Sequence, residues 1–374
     1  MDEPTAIDGS GRPLSAIVLA AGHGTRMRSD RPKPLHVLVG KPMVVWVLDA
    51  LSECRVDRVS VVIGHGGDEV RKRLVEDAGD RPLGFVEQTV QRGTGDAAMV
   101  GLSGLADDPY DEPQDVLVLT ADTPLLRPET LSALVAEHRA SDAACTVLTA
   151  DMAEPTGYGR IVRGRDDRVA RIVEQADASP DEAAITEINT GIFCFRRGLL
   201  APALRRIEPD NAQGEYYLTD VVEVLAETGH NVTSLVADDP DETHGINDRI
   251  QLAAAEHELR HRINRAWMEQ GVTLVDPDRT HLDATVDLER DVTLYPGTML
   301  QGACTVGAGA DIGPDAHLVD TVVGAGATVR QTSATRATIG AGASVGPWAA
   351  LGPGDDVAPG VVTGPHYAGP NTAS

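Results

Sequence analysis

One short segment near the amino end combines small residues with cations. It reads Leu19-Ala20-Ala21-Gly22-His23-Gly24-Thr25-Arg26-Met27, and Pro32-Lys33-Pro34 follows shortly after. Small residues let the backbone approach a nucleotide closely, so that amide groups can point at a base or a phosphate. Arg26 and Lys33 supply positive charge for phosphate oxygens. Dinucleotide-binding folds also place glycines after their first strand, but this segment lacks the third glycine of G-x-G-x-x-G.

The charge of this segment contrasts with that of the whole chain. The 374 residues carry 32 Lys and Arg against 57 Asp and Glu, a formal charge of −25. Positions 22 to 41 hold five cations and one anion, a local charge of +4. Phosphate binding would explain this concentration, and so would a solvated basic loop, so the charge count leaves both interpretations open.

The elements that must position these residues alternate along the first part of the chain. From Ser15 to about Asp239, short apolar runs alternate with segments of helical periodicity. This predicts an α/β domain, a mostly parallel sheet with flanking helices on both faces, whose ligands bind beyond the carboxyl ends of the strands. The predicted strands are 15–21, 58–64, 83–88, 115–122 and 144–151, and the predicted helices are 42–53, 94–105 and 128–140.

The second part of the chain has a period of six. After Leu288, aliphatic residues recur every sixth position, with a slip of one residue before Val323 and a return at Ile339. Six of them are followed by glycine. A flexible Gly/Ala-rich linker would show no such phase, whereas a parallel β-helix takes one hexapeptide on each of its three faces. The repeat positions are Leu294, Leu300, Val306, Ile312, Leu318, Val323, Val329, Ile339, Val345, Leu351 and Val357.

The domain boundaries follow from these two periods. Residues 247–270 have helical spacing and stop at Gly271, a natural C-cap, which predicts a connecting helix. The predicted order is a disordered leader at 1–13, an α/β domain at 14–244, a linker helix at 245–271, a β-helix at 272–362 and a tail at 363–374.

The composition excludes several classes of protein. An acidic chain with 3 Phe, 3 Trp and 6 Tyr has neither the positive surface nor the aromatic platforms of a nucleic-acid binder. No apolar stretch approaches the roughly 18 residues of a membrane span, and the acidic start is unlike a signal peptide. The four cysteines have no C-x-x-C spacing, which favours buried thiols in a reducing cytoplasm. We therefore expect a cytoplasmic protein without nucleic-acid or membrane partners.

The motifs, in their order, resemble those of sugar-1-phosphate nucleotidyltransferases. The chain is most similar to the bifunctional N-acetylglucosamine-1-phosphate uridyltransferase / glucosamine-1-phosphate acetyltransferase family of bacterial cell-wall synthesis, over about 15–360. The segments that carry the resemblance are LAAGHGTRM with RPKPLH, EQTVQRGTGDA (87–97), TADTPLL (120–126), GYGRIV (157–162), IVEQADA (172–178), EINTG (187–191), NAQGEYYLTD (211–220) and GINDRIQL (245–252).

The resemblance implies a role for each matched position. It implies a Rossmann-like nucleotidyltransferase domain followed by a short left-handed β-helix of hexapeptide repeats. It implies contacts of Arg26 and Lys33 with the triphosphate and of two oxygen donors, Asp122 and Asn247, with Mg²⁺. The residues implied to hold the nucleotide are Leu19, Ala20, Ala21, Gly22, Gln88, Gly93 and Thr94, and those implied to hold the sugar are Gly159, Glu174 and Asn189.

Several of these residues also have purely structural interpretations. Asp122 precedes Thr123-Pro124 and could shape a turn, Asn247 could cap a helix, and Glu174 could be a solvated charge at the end of a strand. The implied reaction is attack of N-acetylglucosamine 1-phosphate on the α-phosphorus of UTP, with release of pyrophosphate. No protein nucleophile is required, because positioning and charge neutralisation are sufficient.

The chain departs from the family at two places. Thr120-Ala121-Asp122 replaces a Tyr-Gly-Asp type segment, and Gly352 stands where the family has an arginine. The histidine-containing acetyltransferase motifs have no counterpart, so we expect a C-terminally shortened form without acetyltransferase activity, in which His317 and His366 are structural or solvated. The resemblance also implies a homotrimer formed through the β-helix.

Three alternatives remain open at this point. The chain could use another sugar phosphate or another NTP, in secondary-metabolite or polysaccharide synthesis. It could be a non-catalytic subunit that binds nucleotide sugars, although its intact phosphate and metal positions favour an enzyme. A β-helix acyltransferase fits least well, because the prism is short.

Overall fold

The computed structural model describes residues 12–77, 79, 81–105, 114–164 and 167–372. The predicted leader at 1–13 therefore lies outside the described residues except for its last two positions, as do the last two residues of the predicted tail. The chain forms two compact units. The first comprises residues up to His36 and Pro42–Arg249, and the second comprises Val37–Lys41 with Ile250 onward.

The first unit is built on a nine-stranded sheet. The strands of this sheet are β1 (Leu14–Ala20), β4 (Arg58–Ile63), β5 (Leu83–Glu87), β6 (Asp115–Thr120), β7 (Cys145–Asp151), β8 (Gly159–Arg163), β9 (Val169–Val173), β10 (Glu187–Arg196) and β11 (Val232–Val236). A separate two-stranded pair, β2 (Val37–Leu38) and β3 (Lys41–Pro42), lies almost entirely in the segment assigned to the second unit. The order across the sheet is β11-β7-β10-β6-β1-β4-β5, and β8 pairs with β10 and with β9.

The sheet is mixed. Strand β1 runs parallel to β4 and to β6, and β4 runs parallel to β5. Strand β11 runs parallel to β7. In contrast, β10 runs antiparallel to β6, β7 and β8. The predicted α/β fold with a mostly parallel sheet is confirmed, and the five predicted strands are present within two residues at each end.

Helices cover both faces of this sheet. They are α1 (Met43–Ala50), α2 (Gly67–Asp77), α3 (Thr94–Ser103), α4 (Pro128–Ala140), α6 (Arg197–Leu204) and α7 (Asp220–Glu227), whereas the single-turn α5 (Pro180–Ala183) buries none of its residues. Leu14, Ala16 and Val18 of β1 pack with α1, α2 and α4, while Ile17 packs on the other face with α3, α6 and α7. This alternation follows from the two-residue period of a strand, and it buries the sheet on both sides.

Helix α3 lies directly on the strands that carry the nucleotide segment. A Cβ atom added at Gly101 would lie 2.4 Å from Cγ2 of Ile17 and 3.0 Å from Cγ2 of Val62. We therefore expect Gly101→Ala to lower the free energy of unfolding by about 1–3 kcal/mol, because overpacking forces the helix away from the sheet. Urea denaturation measures this change.

A matched substitution controls for the loss of glycine itself. Gly198 lies in α6, and a Cβ atom there meets no described atom within 4 Å. Gly198→Ala should be neutral or slightly stabilising. Equal effects of the two substitutions would contradict the close packing of α3.

The second unit is a parallel β-helix that follows a long helix. Helix α8 (Arg249–Glu269) packs Ile263 and Trp267 against the interior cluster of the prism. The strands of the prism are β12 (Thr273–Leu274), β13 (His281–Leu282), β14 (Asp287–Leu288), β15 (Thr293–Leu294), β16 (Met299–Gln301), β17 (Thr305–Val306), β18 (Asp311–Ile312), β19 (His317–Val319), β20 (Val322–Val323), β21 (Thr328–Val329), β22 (Ser333–Thr335), β23 (Thr338–Ile339), β24 (Ser344–Val345), β25 (Ala350–Leu351) and β26 (Asp356–Val357).

These short strands stack into three five-stranded parallel sheets, each taking every third strand. The predicted left-handed hexapeptide β-helix is thereby confirmed. The inward strand positions are the predicted aliphatic residues, the earlier Leu274, Leu282 and Leu288, and Ala334, which is fully buried between Val329 and Ile339. The repeats on either side of Ala334 are shorter than six residues, which accounts for the break in the sequence period. Because alanine is small, the sequence pattern did not mark the repeat that contains it.

Coil contacts also continue past the last predicted repeat. Val362 pairs in parallel with Ser344, and Ala368 pairs with Ala350. His366 stacks on Trp348, with ring centroids 5.1 Å apart, and Nε2 of His317 lies 2.8 Å from Oε1 of Gln301.

In the described part of the chain, no helix is both long enough and apolar enough to cross a membrane.

Candidate active site

A cavity of about 570 Å³ opens in the first unit where β1, β5 and β6 end. Parallel strands bring their carboxyl ends to one edge, and the loops after them form the walls. All eleven residues predicted for the nucleotide, the triphosphate and the metal line this cavity. They are Leu19, Ala20, Ala21, Gly22, Arg26, Lys33, Gln88, Gly93, Thr94, Asp122 and Asn247.

In this cavity, the ammonium group of one lysine donates hydrogen bonds to two side-chain oxygens. Nζ of Lys33 lies 2.5 Å from Oδ2 of Asp122 and 2.9 Å from Oδ1 of Asn247. Nη2 of Arg26 donates to the same Oδ1 of Asn247 at 3.0 Å. Two cations thus meet a carboxylate and an amide oxygen, although Lys33 and Asp122 are 89 residues apart in the chain.

Local backbone structure helps to position Asp122, Asn247 and Lys33. Asp122 comes two residues after β6, and its carbonyl accepts a hydrogen bond from N of Ile246 at 2.8 Å, which fixes the segment before Asn247. Gly24 has φ 60°, and a Cβ atom there would lie 2.6 Å from Cβ of Lys33. The lysine stem therefore crosses over a position that requires glycine.

The opposite wall of the cavity holds the residues predicted for the base. Nε2 of Gln88 donates to Oδ2 of Asp96 at 2.7 Å and to the carbonyl of Gly93 at 3.3 Å, which orients its side-chain amide. Gly93 has φ 111°, and a Cβ atom there would lie 2.5 Å from the carbonyl oxygen of Tyr216. Oγ1 of Thr94 accepts a hydrogen bond from N of Leu218 at 3.0 Å.

The three residues predicted for the sugar form a second group, beside the residues that line the cavity. Gly159 on β8 is paired with Asn189 on β10. A Cβ atom at Gly159 would lie 3.4 Å from Oε2 of Glu174. Burial raises the pKa of Tyr158, the residue before Gly159; the charge of Asp122 adds to the rise, and a backbone hydrogen bond at Gly245 opposes it.

Burial dominates the electrostatics of the second group. It raises the pKa of Glu174, while a hydrogen bond from Oγ1 of Thr219, at 3.0 Å, opposes the rise. Burial, together with the charges of Glu223, Glu174 and Asp177, raises the pKa of Asp220 to about 6. The surroundings of Glu174 are thus acidic and partly desolvated.

This acidic surrounding predicts a pH-dependent stability. Because the pKa of Asp220 is higher in the folded protein than in the unfolded chain, its ionisation disfavours folding. That penalty is absent below the unfolded value and grows as the pH rises towards about 6. We expect Asp220→Asn to raise the free energy of unfolding by about 1–2 kcal/mol at about pH 8 and by much less at about pH 4.5.

Chemical denaturation of wild type and variant at the two pH values checks this prediction. Asp238→Asn, which changes an exposed carboxylate, serves as the control. A gain that is the same at both pH values would contradict the raised pKa.

Several cavity residues were not predicted from the sequence. Nε2 of Gln91 donates to the carbonyl of Ala21, and Gln213 and Glu215 also line the cavity. His23 lines it as well, at a position inside the recognised small-residue segment. Gln91, Gln213 and Glu215 lie in segments that carry the resemblance, so the motifs marked the right regions without assigning these side chains.

The site has few side chains that could hold a metal. Over the described ranges, no group of three or more His, Cys, Asp or Glu side chains is arranged to hold an ion. Asp122 and Asn247 nevertheless present two hard oxygens to one cationic group, the Lys33 ammonium. The donor set therefore suits a hard divalent cation that takes its remaining ligands from phosphates and water.

Comparison with known proteins agrees with this geometry. Residues 16–228 match the model of the MobA-like NTP transferase domain. The chain is 46% identical over 315 residues to the bifunctional protein GlmU of Trichlorobacter lovleyi, which covers 83% of this chain and 66% of that protein. It is 46% identical over 316 residues to GlmU of Brevibacillus brevis, with 84% and 67% covered, and 47% identical over 327 residues to GlmU of Streptomyces coelicolor, with 87% and 67% covered.

The chain thus spans about two thirds of the length of these relatives. The family match confirms the prediction of a nucleotidyltransferase, and the predicted loss of the acetyltransferase half stays a prediction. On the domain match, and on the similarity that extends into the β-helix, the chain belongs to the MobA-like NTP transferase family and, over the length that it shares with them, to the GlmU proteins.

Proposed function

We propose that the protein transfers a uridylyl group from UTP to N-acetylglucosamine 1-phosphate, which gives UDP-N-acetylglucosamine and pyrophosphate. The observation that carries the proposal is the bridge from Lys33 to Asp122 and Asn247. It gathers a flexible cation and two oxygen donors at the edge of the sheet where nucleotides bind. Similarity to the GlmU proteins supports the choice of sugar and base.

The reaction in this proposal is a single in-line displacement. A phosphate oxygen of the sugar phosphate forms a bond to the α-phosphorus of UTP, and the bond from that phosphorus to the bridging oxygen of pyrophosphate breaks. Arg26 and Lys33 stabilise negative charge on the α-phosphate and on the leaving group. Gln88 and Gly93 orient the base, and Gly159, Glu174 and Asn189 orient the sugar.

We propose Mg²⁺ as the cation of this site, held by Asp122 and Asn247. Both residues present oxygen atoms, and two protein ligands leave room for phosphates and water. When bound, Mg²⁺ neutralises phosphate charge and lowers the repulsion between the two anionic substrates. Lys33 then has to move from Asp122 towards the phosphates, a short step for a side chain with several rotatable bonds.

A substrate panel tests this proposal. The purified protein is incubated with Mg²⁺, with each of UTP, CTP, ATP, GTP and dTTP, and with each of several sugar 1-phosphates, and pyrophosphate release is followed. We expect the highest kcat/KM for UTP with N-acetylglucosamine 1-phosphate. Preference for another pair would establish the alternative of a different sugar or base, and binding without turnover would establish the non-catalytic alternative.

A further inference from the structure

The rings of two histidines are in contact, and one of these histidines belongs to the segment Leu19–Met27. His23 lies in the segment after β1, and His65 lies in the loop after β4. Their ring centroids are 5.4 Å apart, with the planes tilted by 44°. Since β1 and β4 are parallel neighbours, with Ala20 opposite Ile63, both loops leave the sheet at the same edge. His23 lines the cavity, and the His65 ring contacts the His23 ring.

The loop that carries His65 is packed tightly onto the nucleotide segment. A Cβ atom at Gly64 would lie 2.7 Å from the carbonyl oxygen of Ala21. A Cβ atom at Gly66, where φ is 70°, would lie 2.5 Å from Cγ of Pro32. The loop thus touches the segment on both sides of Arg26, and glycine is needed at each contact. This packing fixes His65 relative to Arg26 and Lys33.

The imidazoles have hydrogen-bonding capacity to offer a ligand. Within the described part of the chain, no hydrogen bond from another residue reaches either ring. Both residues are exposed and His23 lines the cavity, so a ligand can reach the rings. A neutral imidazole donates one hydrogen bond and an imidazolium donates two, and phosphate oxygens are strong acceptors.

We propose that His23 and His65 together bind the terminal phosphates of the nucleotide, the part that leaves as pyrophosphate. This inference rests on the proposed function for the direction of the reaction. It assigns to the pair a ligand, inorganic pyrophosphate, that is common to nucleotidyl transfer with any base or sugar. Arg26 and Lys33 hold the α-phosphate side, and the histidines extend the contact outward.

Direct binding of inorganic pyrophosphate tests the pair without turnover. Isothermal titration in the presence of Mg²⁺ compares wild type with His23→Gln, His65→Gln and the double variant. We expect each single variant to bind pyrophosphate about 5-fold more weakly and the double variant about 10–30-fold more weakly. UMP, which lacks the terminal phosphates, should bind all four proteins within about 2-fold of one another.

Controls separate this role from a general effect on folding. His230→Gln changes an exposed histidine that precedes β11, at the opposite edge of the sheet, and should leave binding of both ligands unchanged. If a glutamine variant loses its thermal transition, His23→Asn and His65→Asn replace it. Unchanged pyrophosphate binding by the double variant, equal weakening of UMP and pyrophosphate, or no pyrophosphate binding by wild type would overturn the proposal.

The outcomes also distinguish a failure of the histidine proposal from a failure of the proposed function. If pyrophosphate binding depends on the histidines while UTP proves not to be the preferred nucleotide, the phosphate contact stands and the choice of base is wrong. If UTP is the substrate and the variants bind pyrophosphate normally, the proposed function stands and the pair has no such role.

Discussion

Asp122→Asn should lower kcat at least about 100-fold and raise the Mg²⁺ concentration needed for half-maximal rate. An amide in place of the carboxylate removes the negative charge that faces Lys33 and weakens a hard oxygen ligand. The fold should persist, because the Asp122 side chain is 24% exposed and the backbone bond from Ile246 does not involve it.

The measurement is pyrophosphate release as a function of Mg²⁺, together with thermal denaturation. Asp238→Asn provides a matched control, since it changes an exposed carboxylate at the same edge of the sheet. Turnover near the wild-type rate at limiting Mg²⁺ would show that Asp122 is not a metal ligand.

Lys33→Ala should have the second large effect, a fall in kcat of about 100-fold with a change in unfolding free energy of no more than about 1 kcal/mol. The ammonium is the cation nearest to Asp122, and the proposed reaction places it on the phosphates. Its loss removes charge stabilisation in the transition state, whereas a partly exposed ion pair contributes little to folding.

Two further variants sharpen this result. Lys33→Met keeps an unbranched stem above Gly24 and removes only the charge, so it should match Lys33→Ala in rate. Lys72→Ala removes an exposed lysine of α2 and should leave the rate unchanged. A lower thermal stability with normal kcat would assign Lys33 a structural role.

The β-helix was largely predictable because its core has a simple rule. Each inward position faces the prism axis, so aliphatic residues recur at a fixed spacing that the sequence displays directly. Ala334 was not predicted as an inward position. Its side chain is a single methyl group, and alanine is too common in the sequence to indicate a repeat. The last coil contacts, at Val362 and Ala368, were not predicted because neither position holds Leu, Ile or Val followed by glycine.

The sheet was predictable in outline and less so in direction. Strands such as β4 and β6 are continuous apolar runs, as burial on both faces requires. Strand β10 (EINTGIFCFR) is less apolar than these strands and was not predicted, and its composition carries no signal of its antiparallel direction. Helix α2 was not predicted, because only Gly67, Val70 and Leu74 of its residues are buried and its apolar stripe is thin.

The site shows a similar division. The resemblance singled out Asp122, and its place at the end of a predicted buried strand, at the edge where ligands bind, is compatible with that role. Its contact with Lys33, and the shared contact of Lys33 and Arg26 with Asn247, depend on loops that meet only after folding. Spacing along the chain cannot predict such distances, and the placement of Gln91 and His23 at the cavity depends on the same packing.

The most direct test of the account identifies both products of the wild-type protein. The protein is incubated with UTP, N-acetylglucosamine 1-phosphate and Mg²⁺, and the products are followed by mass spectrometry beside a parallel reaction with Asp122→Asn. We predict UDP-N-acetylglucosamine and pyrophosphate in equal amounts from wild type, and a large reduction of both in the variant. Release of phosphate or pyrophosphate without a nucleotide sugar, or equal product from wild type and Asp122→Asn, would contradict uridylyl transfer at this site.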